Sequence, residues 1–303
     1  MSDEDIMWLA IYDPLAKSVV QAIRTGDVPE LTRLLAGNPG LATARIVGAE
    51  EGRTSNEGTG GGETGDAGTG SLNPDNANSG AAGASNGNTG GSTVRAMSRT
   101  LLHIATDWPG HYPNNAAVVT ALIEAGAEVN AQFSGPHRET PLHWAASSDD
   151  VEVLDLLLDA GADIEAPGAV IAGGTPLDDA VAFAQWRAAQ RLVERGAQPA
   201  LWHAAALGLL EAMEAHFAGN PLPRRYPWGA SSASAAPDEV NVAYWCACHG
   251  GQRAAAEYLL GRGAELNWPS PWDGLTPLDA ALRSHATELA AWLKGQGAKS
   301  AHL

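Results

Sequence analysis

Apolar residues recur along this chain in short stripes at helical spacing. Val151, Leu154, Leu157 and Leu158 fall three and four residues apart, which puts them on one face of a helix. Shortly before them, Leu142, Ala145 and Ala146 give a briefer helix with a small apolar face. Neither helix is long enough to be stable alone. Two markers bracket such pairs and keep step with each other. A Gly-Ala pair follows the second helix at Gly126-Ala127, Gly161-Ala162, Gly196-Ala197, Gly263-Ala264 and Gly297-Ala298, with 35 residues between the first three glycines and 34 between the last two. Thr140-Pro141-Leu142-His143, Thr175-Pro176-Leu177-Asp178 and Thr276-Pro277-Leu278-Asp279 open the first helix, and Thr100-Leu101-Leu102-His103 is a looser copy. Threonine suits an N-cap, where its oxygen accepts an orphan backbone N–H. Proline fits the first helical turn, and glycine supplies the left-handed residue past the second helix. A helix pair repeated in phase can bury its stripes only against its neighbours, so the prediction is an all-α solenoid.

The Thr-Pro-Leu-His start, the double helix, and the stretches Leu157-Leu158-Asp159-Ala160-Gly161-Ala162-Asp163-Ile164-Glu165 and Leu259-Leu260-Gly261-Arg262-Gly263-Ala264-Glu265-Leu266-Asn267 resemble the ankyrin repeat. In its spacer lengths the chain also resembles bacterial ankyrin proteins of actinobacterial type. The resemblance implies about seven helix-turn-helix repeats with short hairpin fingers, a count that includes degenerate copies. Residues 1–47 read as an N-terminal segment and a degenerate capping repeat, with Val19, Val20 and Ile23 followed by Val28, Leu31, Leu34 and Leu35. Residues 99–199 read as three repeats. Residues 200–239 read as a degenerate repeat plus a Pro/Ser-rich loop, and residues 240–303 as two further repeats. The short step from Gly196 to Leu201 predicts a change of stacking angle. Lys294, where the third repeat has Leu158, suits the polar outer face of a C-terminal cap.

Residues 48–98 break the pattern. They are rich in Gly, Ser, Asn, Thr and Ala and almost free of large apolar side chains, so a disordered insert is expected there. It reads either as a mobile cover for the binding face or as a tolerated insertion. The loop at 219–239 carries a basic–aromatic cluster, Arg224-Arg225-Tyr226-Pro227-Trp228, which reads either as a contact point or as a loop pinned to the stack.

Charge and chemistry narrow the function. A formal charge of −17 disfavours nucleic acid and anionic membrane surfaces as partners. No apolar run reaches the length of a membrane span, and the acidic start Met1-Ser2-Asp3-Glu4-Asp5 lacks the pattern of a secretory signal, so a cytoplasmic monomer is expected. Cys246 and Cys248 are the only cysteines and read as buried, inert thiols. Neither a nucleophile elbow, a Walker loop nor H-E-x-x-H occurs, so the chain is read as non-enzymatic and without a cofactor. By the resemblance, His103 and His143 brace the hairpins locally. Asp107, His111 and His137 are the alternative, a metal or small-ligand site in two loops.

In an ankyrin-like stack, first helices and finger tips line a concave groove. Alignment on the third repeat places outward Ile104, Asp107 and Trp108; Trp144, Ser147 and Ser148; Asp179, Ala182 and Phe183; then His203 and Leu207; Cys246, His249 and Gly250; and Arg283 and Ser284. Trp108, Trp144 and Phe183 in adjacent rows, with Asp at the rim, read as a contact patch for a protein or peptide, unless fingers or loops bury them. Trp268 and Trp272 in the last finger are a second candidate contact, with turn packing as the alternative.

Overall fold

The computed structural model describes residues 6–48, 97–225 and 238–301. Among them the helices fall into seven consecutive pairs: α1 (Pro14–Thr25) with α2 (Val28–Gly37), α3 (Leu101–Thr106) with α4 (Asn115–Glu124), α5 (Pro141–Ser147) with α6 (Val151–Asp159), α7 (Pro176–Ala182) with α8 (Trp186–Glu194), α9 (Leu201–Ala206) with α10 (Leu210–Phe217), α11 (Glu239–His249) with α12 (Arg253–Leu260), and α13 (Pro277–Arg283) with α14 (Thr287–Gly295). First helices pack in a row from α1 through α3, α5, α7, α9 and α11 to α13, and α2, α4, α6 and α8 stack as an outer row. One hydrophobic core runs the length of the stack from Leu9 to Leu293, with Leu31, Leu102, Leu142, Leu154 and Leu177 fully buried along it. The two degenerate copies are ordinary helix pairs, and Lys294 is exposed on the last helix.

The chain is not wholly helical. Strands β1 (Trp8–Ala10), β2 (Arg45–Gly48) and β3 (Met97–Thr100) form a sheet in the order β1-β2-β3. β1 runs parallel to β2 with Trp8 opposite Arg45, and β2 runs antiparallel to β3 with Gly48 opposite Met97. The insert expected at 48–98 lies outside the described residues except at its margins. There Gly48, Met97 and Ser98 are strand residues, because pairing β2 with β3 satisfies their backbone groups. The loop residues Tyr226, Pro227 and Trp228 also lie outside the described residues.

The recurrent threonine and the residue three places on form one bonded unit. His103 Nδ1 lies 2.8 Å from Thr100 Oγ1, and His143 Nδ1 accepts the Thr140 N–H at 3.0 Å. A ring nitrogen that accepts a backbone N–H leaves the proton on the other nitrogen, so each imidazole is neutral and Nε2 donates. His103 Nε2 reaches the Glu139 carbonyl at 3.1 Å and His143 Nε2 the Gly174 carbonyl at 3.4 Å, each in the finger of the following repeat. Burial depresses both imidazoles, His103 to about 3 and His143 to about 4. Asp178 and Asp279 replace the histidine in two repeats and accept the N-cap N–H directly, at 2.7 and 3.0 Å.

The residue that ends the Gly-Ala motif ties each turn to the next. Asn130 Oδ1 accepts the Asp163 N–H, Glu165 Oε1 the Gln198 N–H and Asn267 Oδ1 the Lys299 N–H, all at 2.7–2.8 Å. Fingers also bond to one another, through Ser98 with Ser134 and through the Arg138 N–H to the Gly168 carbonyl at 3.1 Å.

Two glycines show separate backbone requirements. Gly161 has φ 90° and open space where a Cβ would sit. Gly250 has an ordinary φ, but its Cβ would lie 1.9 Å from the Ala206 carbonyl oxygen, so α9 and α11 approach closely only because it is glycine. In urea denaturation, Gly161→Ala is expected to cost about 1 kcal/mol, from strain alone. Gly250→Ala should cost more, about 2–3 kcal/mol, because two helices must separate. Gly37→Ala, which meets nothing and needs no positive φ, should leave stability within about 0.5 kcal/mol.

Candidate partner-binding face

The aromatic row expected on the first helices is present in part. Trp108 is 52% exposed, in the loop that follows α3. Beside it Asp107 is half-buried, with its carboxylate on Arg99 Nη1 at 2.9 Å. Trp144, on α5, is half-buried and packs against Phe133 of its own finger and His103 of the preceding repeat, with ring centroids 5.5 and 4.9 Å away. Ser147 is half-buried and donates to the His143 carbonyl. Between the tips of the neighbouring fingers lies an open depression of about 570 Å³ lined by Gln132, Pro136, His137, Arg138 and Pro167 to Ala169.

Several expected groove residues are covered instead. Ser148 is buried because the extra loop before α4 lies on it, with Gly110 against its side chain and His111 Nε2 on its carbonyl at 3.0 Å. Phe183 and Ala182 are buried with Ile171 of the preceding finger in a small cluster of their own. Asp179 is fully buried and accepts the Ile171 N–H through Oδ1 at 3.3 Å. Ile104, His203, Cys246 and His249 are buried in the stack, while Leu207, Gly250, Arg283 and Ser284 are half-buried. Burial pushes both thiols upward. Trp268 and Trp272 pack edge to face on each other, and Trp272 on Trp245, while Arg283 lies over the Trp245 ring and pairs with Asp273. The last finger is thus held by its own aromatics.

The alternative trio does not assemble. Asp107 is turned to Arg99, and the His111 ring and N–H face Ser148 and Asp150. His137 sits on the next finger's tip. No three His, Cys, Asp or Glu side chains among the described residues are grouped to hold a metal ion.

Glu139 was not singled out by the sequence pattern, yet it sits under Trp144. Its carboxyl is buried, is hydrogen-bonded to the Trp144 side chain, and shares a hydrogen bond with the fully buried carboxyl of Asp179. Desolvation raises both acids, Glu139 to about 7; Glu139 pushes Asp179 up further, while the hydrogen bonds from Trp144 and Asp179 pull Glu139 part of the way back. Two carboxyl groups in contact are stable as a pair only while a proton is shared. Also unforeseen is an apolar patch at the sheet edge, where Trp8, Ile11 and Tyr12 are all exposed. Nothing in the Trp-Leu-Ala-Ile-Tyr run distinguishes an open edge from a buried strand.

Residues 102–202 match the family model for ankyrin repeats, in three copies. That stretch of the chain carries ankyrin repeats. It is similar to the human ASB11 ankyrin repeat domain, whose crystal structure aligns at 24% identity over 66% of this chain and 85% of that one, with a TM-score of 0.39. No curated protein matches the sequence. No helix among the described residues is long and apolar enough to cross a membrane.

Within the ankyrin stack the acid pair and the histidines pull stability in opposite directions with pH. Glu139 has a folded pKa above its ordinary value, so its contribution is full at about pH 4 and is lost as pH rises through about 7. His103, His143 and His249 are depressed, to about 3, 4 and 4, so their contribution is full above the ordinary histidine range and is lost as pH falls toward 4. Glu139→Gln keeps the shape and a donor to Asp179 while removing one ionisation. Urea titrations at pH 5 and pH 8 should show the variant gaining about 1–3 kcal/mol relative to wild type at pH 8, with the difference shrinking at pH 5.

Proposed function

We propose that this ankyrin-repeat protein is a non-enzymatic scaffold that holds a protein or peptide partner on its concave groove and finger tips. The observation that carries the reading is the pair of aromatics left open on consecutive repeats, Trp108 and Trp144, with Ser147 and Asp107 beside them. Large aromatics exposed next to polar groups are the residue types that dominate binding energy at interfaces. The open depression between the neighbouring finger tips extends the same surface. The residues that would carry a metal-dependent activity face away from one another, which leaves binding as the better-supported class. A partner with a basic or mixed surface suits the net charge of −17. Neither nucleic acid nor membrane fits that charge, and a cytoplasmic monomer remains the reading of the sequence.

The test compares the intact protein with a Trp108→Ala/Trp144→Ala variant in affinity capture from cell extract, followed by titration of the captured partner. Losing two half-open aromatic anchors should weaken binding at least about tenfold while circular dichroism stays unchanged. Equal binding by both proteins would remove the groove aromatics from the reading.

A further inference from the structure

Two departures from the repeat pattern fall on the same junction. Glu165 stands where Asn130 and Asn267 end their motifs, and Asp178 stands where His103 and His143 close their caps. Each does the usual work of its position with one oxygen or one edge: Glu165 Oε1 accepts the Gln198 N–H, and Asp178 Oδ2 accepts the Thr175 N–H and Oγ1–H. Each then has carboxylate charge that the neutral residue would lack, and both charges face one guanidinium. Arg225 Nη2 donates to Glu165 Oε2, while its Nη1 donates to Thr175 Oγ1 at 3.0 Å and lies 3.5 Å from Asp178 Oδ2. Behind them His203 is fully buried. Its Nδ1 accepts the Ala200 N–H at 2.9 Å, so Nε2 carries the proton, yet Nε2 has no hydrogen-bond partner and points at Asp178 Oδ1 from 3.7 Å. A buried donor aimed at a buried carboxylate marks a polar pocket built around that charge.

The residue that fills the pocket arrives on a loosely held piece of chain. Pro221 to Arg225 leaves α10 with prolines at 221 and 223, which hold the backbone extended. Besides Arg225, the segment is held by the Leu222 N–H on His216 Nδ1, by the half-buried Leu222 side chain, and by Arg224, whose largely exposed guanidinium is 3.6 Å from Glu239. An extended proline-containing strand whose deepest contact is one arginine is the form in which short linear peptides bind.

We propose that Glu165, Thr175 and Asp178 form an arginine subsite of the partner-binding face, filled in this structure by the chain's own Arg225 and taken by an arginine of the partner when Pro221–Arg225 lifts away. The inference rests on the protein-binding reading above and gives it a ligand chemistry and an internal competitor. Arginine fits where lysine would not, because two nitrogens of one planar fork reach separate acceptors.

The probe is a fluorescein-labelled peptide with the chain's own residues 220–225, acetyl-Asn-Pro-Leu-Pro-Arg-Arg-amide, titrated by anisotropy into the full-length protein. Arg225→Ala empties the subsite and should bind the peptide about tenfold or more tightly than wild type, whose subsite is occupied. Glu165→Gln in that background keeps the bond to Gln198 and should reverse the gain, as should a peptide ending in lysine. Arg225→Ala with wild-type circular dichroism and no gain, or a lysine peptide that binds equally well, overturns the proposal. If Arg225→Ala does not fold, Arg225→Lys keeps a positive charge opposite Asp178 without the fork. It should show the same arginine preference and the same sensitivity to Glu165→Gln, and lack of either overturns the proposal. Peptide exchange that fails while the Trp108/Trp144 variant still loses its partner removes the subsite alone. Exchange that succeeds while those tryptophans prove neutral keeps the subsite and discards the aromatic groove.

Discussion

Much of this stack depends on the side chain three residues after the first-helix N-cap, which closes the cap of α3, α5, α7, α9 and α13. A helix of six or seven residues leaves as many backbone groups unsatisfied at its ends as it satisfies within. The imidazoles of His103 and His143 correct this twice over, closing the cap of their own helix and donating to a carbonyl of the following finger. Cap closure and repeat stacking are therefore one interaction. It works because the ring is neutral, and burial keeps it so. A protonated ring would lose its acceptor nitrogen and with it the bond to the N-cap.

Replacing that histidine by aspartate keeps the cap but changes what must come next. A carboxylate cannot donate to the following finger, and its charge must be met from elsewhere. Asp279 meets it at the end of the stack with the Ala301 N–H. Asp178 lies in the interior, with His203 behind it and Glu165 beside it, and is met by Arg225 from a segment 47 residues further along the chain. A local cap substitution thus recruits a distant strap.

The repeat architecture was legible because its signals are local and recur: a threonine cap, a proline, a glycine with positive φ, and the apolar stripe between them. Even the copies without Thr-Pro-Leu-His could be placed, since Val28, Leu31 and Leu34 still follow helical spacing. The sheet was not legible, because β2 and β3 pair across an insert of 48 residues (49–96) and β1 pairs with a strand that lies beyond two helices. The acid pair was missed for a related reason. Glu139 reads as an ordinary polar finger residue, and only the stacking of one repeat on the next brings it to Asp179.

The candidate face was half legible, and the failures have one cause. Alignment paired Trp144 with Asp179 and Ser148 with Phe183 as equivalent outward positions, and on the helices those pairs are equivalent. What differs is the chain laid over them. The finger before α7 carries Val170 and Ile171, which fold onto Ala182 and Phe183 and deliver the Ile171 N–H to Asp179. The finger before α5 carries Phe133, which flanks Trp144 without covering it. The extra loop before α4 lays Gly110 and His111 on Ser148 while leaving Trp108 in solvent. First helices set where a groove residue stands, but fingers and loops decide whether a partner can reach it. The same logic applies to Pro221–Arg225, which is also chain laid over a position, at Glu165 and Asp178, that the helices alone would leave open.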